Sequence, residues 1–110
     1  MAVTGQTLTV FRGSAAVLNF SVGTPTNITG WTIVLTVARA LGSGSKAITQ
    51  QVAVHVSDLL GDYRFDLTAA MTDIRPAPYY FDVWRIDAGA EEFLASGVLT
   101  IEDVVRLPTS

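Results

Sequence analysis

The chain has 110 residues, no cysteine, one histidine, seven Lys+Arg against ten Asp+Glu, and 49% hydrophobic residues. A chain of that length buries about two-thirds of its unfolded surface as a single domain over residues 1–110, without disulfides or cysteine-bound zinc. Charged residues at only 15% exclude a disordered chain, no apolar run approaches the roughly 18 residues of a membrane span, and a net charge of −3 argues against phosphate-dominated nucleic-acid binding.

The segment Met1–Gln6 has neither a basic start nor an apolar signal core, which predicts assembly in a reducing cytoplasm without export. From there the dominant pattern is alternation of period two, carried by β-branched and aromatic residues in short runs between Gly, Pro, Asn and Asp. The first strand is expected over Gln6–Phe11, with a turn at Arg12-Gly13-Ser14 that shares only two residues with an integrin-type tripeptide and lacks its carboxylate. A second strand, Ala15–Val22, points Leu18, Phe20 and Val22 one way and Asn19 and Ser21 the other, and a loop follows at Gly23–Asn27. Two glycosylation-like triplets, Asn19-Phe20-Ser21 and Asn27-Ile28-Thr29, read as a strand residue and a turn residue.

The third strand, Trp31–Arg39, places Trp31, Ile33, Leu35 and Val37 on its inner face and Thr32, Val34, Thr36 and Ala38 on its outer face. Leu41-Gly42-Ser43-Gly44-Ser45 reads as a mobile loop. A fourth strand is expected over Ala47–Val56, with Val52, Val54 and Val56 inward and His55 toward the surface, and a fifth over Tyr63–Thr68, with Tyr63, Phe65 and Leu67 inward. Ala69–Ile74 forms one helical turn capped by Thr68 and stopped by Arg75-Pro76-Ala77-Pro78. Strands over Tyr79–Ile86 and Glu92–Ile101, joined by a hairpin at Asp87-Ala88-Gly89-Ala90, complete the pattern. About seven strands at this spacing predict an all-β, immunoglobulin-like β-sandwich with one short helical turn between the fifth and sixth strands.

Chemistry is sparse. His55 has no second histidine and no cysteine to join it as a base or ligand partner, so the sequence predicts no enzyme, no cofactor and no metal centre. Asp58, Asp62, Glu102 and Asp103 would be the carboxylates of a calcium site, yet no spaced Asp-x-Asp-x-Asp loop is present and solvated loop carboxylates account for them equally. Gly42-Ser43-Gly44 leads into a strand rather than the helix N-terminus that a phosphate cradle requires.

The informative surface is the outer face of the third, sixth and seventh strands. With Tyr79, Phe81 and Val83 inward, Tyr80, Asp82 and Trp84 point outward beside Val34, Leu94 and Val98, an apolar patch of the kind that marks protein interfaces. The alternative is a reversed register or a bulge that turns Trp84 into the core.

Four segments taken in order, Gly5-Gln6-Thr7-Leu8-Thr9-Val10-Phe11-Arg12-Gly13, Ile28-Thr29-Gly30-Trp31-Thr32-Ile33, Tyr79-Tyr80-Phe81-Asp82-Val83 and Ser96-Gly97-Val98-Leu99-Thr100-Ile101, resemble small immunoglobulin-like proteins of tailed bacteriophages, including the amino-terminal domain of phage baseplate upper proteins. The family usually has a proline-glycine turn before the tyrosines of the sixth strand, where this chain has Arg75-Pro76-Ala77-Pro78. Baseplate relatives continue into a fibre or receptor-binding region, whereas this sequence ends at Ser110, which favours a free-standing module over a fibre. The resemblance implies a virion structural protein, assembled in the host cytoplasm, with capsid or tail-baseplate proteins or further copies of itself as partners and neither nucleic acid nor membrane. A capsid decoration or cement protein and a small tail adaptor both fit; a carbohydrate-binding module with Trp84 and Tyr80 as stacking platform is the rival.

Overall fold

The computed structural model describes residues 3–22, 26–39 and 46–104. Runs of alternating β-branched and aromatic residues form β1 (Val3–Phe11), β2 (Ala16–Ser21), β3 (Ile33–Ala38), β4 (Lys46–Val52), β5 (Val54–Ser57), β6 (Asp62–Leu67), β7 (Ala77–Arg85) and β8 (Glu92–Glu102), with one helical turn, α1 (Ala69–Thr72), before β7. Five strands make a sheet in the order β1-β8-β7-β3-β4, and β2-β6-β5 make a second of three. The β1–β8 pairing is parallel and the others are antiparallel. This is an all-β sandwich with a short helix. The Tyr79 hydroxyl donates to the Arg75 carbonyl at 2.5 Å and ties the start of β7 to the connection before it.

The core follows the predicted alternation on four strands. Ile33, Leu35 and Val37 of β3 meet Tyr63, Phe65 and Leu67 of β6, Leu18 and Phe20 of β2, and Tyr79, Phe81 and Val83 of β7 in one buried cluster. Phe20 stacks on Tyr63 with centroids 5.7 Å apart and meets Phe81 of the opposite sheet at 6.0 Å, so aromatic contacts cross between the layers. Thr68 caps α1 by accepting from the Met71 amide at 3.3 Å, and Thr72, fully buried, donates to the Ser14 carbonyl at 2.8 Å, pinning the helical turn to the first crossover.

Two expectations change. The single strand expected over Ala47–Val56 is two, because the chain leaves the larger sheet at Ala53: β4 pairs with β3, and β5 pairs with β6 in the other sheet. The valines expected inward, Val52, Val54 and Val56, are all exposed, while Ala53 packs on the core and His55 is half-buried. Alternation was legible there and its phase was not, since each strand is an edge strand with a neighbour on one side only. The loop expected at Leu41–Ser45 lies outside the described residues, as do residues 23–25 of the Gly23–Asn27 loop.

Candidate functional site on the outer face of the larger sheet

Strand β7 is the middle strand of the five, so its outward side chains occupy the centre of a face. Packing of Tyr79, Phe81 and Val83 into the core leaves Tyr80, Asp82 and Trp84 on the other side, with Tyr80 42% and Trp84 39% exposed. Trp84 therefore stands on the surface. It is in register with Val34 of β3 and Phe93 of β8, and Val34 is in register with Val52 of β4. The rings of Trp84 and Phe93 lie 5.5 Å apart, tilted by 53°. Val34 is itself only 3% exposed, outside the inter-sheet core and between Trp84 and Val52, so it forms the floor of the band rather than its contact surface.

Leu94 departs from expectation. It is 3% exposed and belongs to the inter-sheet core. Between Val83↔Ala95 and Trp84↔Phe93 the register slips by one residue of β8, a bulge that turns both Leu94 and Ala95 inward and brings Phe93 out beside Trp84. Phe93 is the member of the site that strict alternation hides; its signal is the run Phe93-Leu94-Ala95, three apolar residues in succession where a regular strand with one solvated face would alternate.

A second row crosses the sheet at Tyr80, flanked by Val98 of β8 and Ala38 of β3. Between the two rows runs a furrow of short polar side chains, Ser96, Asp82 and Thr36 in register, with the Gln50 amide donating to Thr36 Oγ1 at 3.2 Å. Asp82 is half-buried in this furrow and, among the described residues, has no hydrogen-bond or ion-pair partner.

Polar residues singled out by composition gather elsewhere, at the end of the sandwich. His55 Nε2 donates to the Trp31 carbonyl at 2.9 Å and its Nδ1 faces Asp58 Oδ1 at 2.6 Å. The Arg85 guanidinium lies 4.3 Å from the centroid of the Trp31 ring, and its Nε donates to Asp87 Oδ2 at 2.8 Å. Asp87 Oδ2 also accepts the Thr32 amide at 2.9 Å, and these bonds, with that of Arg85 foremost, hold its carboxyl below the usual aspartate range. The arrangement clamps two loops; His55 is held between a carboxylate and a backbone carbonyl, and among the described residues no hydroxyl hydrogen-bonds to it for activation. Asn27 Oδ1 accepts from both the amide and the hydroxyl of Thr29, closing the turn expected at that triplet.

Asp58 is engaged by His55, and Asp103 lies 4.0 Å from Arg12. Among the described residues no group of three or more His, Cys, Asp or Glu comes together as a metal site. An open cleft of about 560 Å³ lies against Gln6, Phe20, Asp62 and Tyr63, and Gln6 Oε1 is buried with no hydrogen-bond partner among the described residues.

No protein-family model matches the chain, and no curated protein aligns with it significantly. Among the described residues, the Trp84–Phe93 band and its furrow are the candidate site.

Proposed function

We propose that this chain is a non-enzymatic structural protein of a tailed-phage virion, a sandwich module that docks through the outer face of its larger sheet on a neighbouring capsid or tail-baseplate protein. The observation that carries this reading is the exposed Trp84–Phe93 ring pair on the outer face of the larger sheet, in one row with Val34 and Val52 and across a polar furrow from Tyr80 and Val98. Exposed aromatics backed by a rigid sheet lose little conformational freedom on binding, which is why they concentrate at the centres of interfaces. The ordered likeness of four segments to phage immunoglobulin-like proteins supplies the virion context, with assembly in the host cytoplasm. Capsid decoration and tail adaptation both use such a module, and a second copy of the chain is a further partner the same face would accept. The rival, a carbohydrate-binding module, draws on the polar furrow beside Trp84.

Imaging of intact particles tests the proposal. Density for the sandwich with its five-stranded sheet turned against another virion protein is the expected result. Density with that sheet facing solvent, or absence of the protein from purified particles, would overturn it.

A further inference from the structure

We infer that Asp82 and the rings on either side of it form a socket for an arginine side chain of the docking partner. The inference rests on the docking reading and names the chemistry the partner must bring. Tyr80, Asp82 and Trp84 leave the same face of one strand, with the Cα of Asp82 about 6.7 Å from the Cα of each aromatic neighbour. Short side chains, Ser96 and Thr36, flank it across the sheet and keep the furrow open between the two rows.

Charge complementarity decides the occupant. Among the described residues no hydrogen bond or ion pair reaches this half-buried carboxylate, so its charge is left for a docking partner to meet. The neighbouring arginines are committed elsewhere: Arg85 to Asp87 and the Trp31 ring, Arg39 to the Tyr79 ring. The furrow therefore stands open to a cation brought by the docking partner. Arginine fits best, because its apolar stem covers an aromatic ring while its planar fork meets a carboxylate in two hydrogen bonds, a combination lysine's point charge does not reproduce. A saccharide would leave the carboxylate's charge uncompensated, and Thr36 Oγ1 already accepts from Gln50.

The test is titration of isotope-labelled protein with Nα-acetyl-arginine amide, with its neutral citrulline counterpart, and with N-acetylglucosamine, followed by the resonances of Tyr80, Asp82 and the Trp84 indole. The arginine probe is expected to shift these resonances, the citrulline probe to bind roughly tenfold more weakly, and Asp82→Asn to abolish the difference while leaving the melting temperature unchanged. Equal responses to arginine and citrulline, or an unaltered arginine response in Asp82→Asn, would overturn the socket; so would shifts with the sugar alone. Failure here is separable from failure of docking: particles that reject Trp84→Ser yet take up Asp82→Asn at the wild-type level, with unchanged salt sensitivity, leave the docking face standing and remove the arginine.

Discussion

Gly97 of β8 faces the backbone of Gln6 in β1 so closely that a Cβ at Gly97 would sit 2.0 Å from the Gln6 carbonyl oxygen. The contact is backbone against backbone, so no side chain can swing aside to relieve it. Gly97→Ala is expected to push β1 off the sheet edge at a cost of about 1–3 kcal/mol. Urea unfolding measures the cost, and amide exchange of β1 locates it; protection of residues 6–11 equal to wild type would show that the strand is held by other means.

The core prediction concerns Leu35 and Phe65, which face each other's layer with at most 1% exposure. Truncation of either to alanine should destabilise by about 2–5 kcal/mol through lost burial and the cavity left behind. Thermal or denaturant unfolding of Leu35→Ala reads this directly, and a wild-type midpoint would contradict the packing described.

His55 bridges two loops through the Trp31 carbonyl and Asp58. Replacement by alanine removes both contacts and leaves that carbonyl without its donor, which should cost about 1–3 kcal/mol. The indole resonance of Trp31 should shift at the same time, since the loop that carries it loses its anchor. A His55→Ala protein with wild-type stability and an unmoved Trp31 signal would show that the bridge contributes nothing.

Asp87 gives a pH dependence of definite sign. Its carboxyl is held below the usual aspartate range, so its contribution is complete above the unfolded value near ~3.9 and is lost as pH falls through the lower folded value. The melting-temperature gap between wild type and Asp87→Ala should therefore be constant from about pH 5 upward and close below about pH 4. A gap that widens in acid would reverse the assignment.

These sites differ in how far they were legible from the chain alone. Ile33, Leu35 and Val37, Tyr63, Phe65 and Leu67, and Tyr79, Phe81 and Val83 belong to strands with neighbours on both sides, where one buried face fixes the phase of the alternation. Val52, Val54 and Val56 have the same period on edge strands, and what decides their phase is tertiary: Ala53 packs on the core and His55 finds Trp31, a partner 24 residues away. The exposed pair Tyr80 and Trp84 followed from β7, whereas Phe93 for Leu94 depended on a bulge that no local propensity announces. Asp82 was visible as an outward residue, but its lack of a partner among the described residues is a property of the assembled face.

The docking claim is tested most directly by Trp84→Ser, measured for thermal stability and for incorporation into particles lacking the wild-type copy. Trp84 is part of the surface band and not of the inter-sheet core, so the purified variant should fold cooperatively with a modest loss of stability. Removal of this aromatic anchor should weaken association by about 2 kcal/mol or more, enough to deplete the variant from particles about thirtyfold in competition with wild type. Folded protein that fails to incorporate is the predicted result; folded protein incorporated at the wild-type level would contradict it.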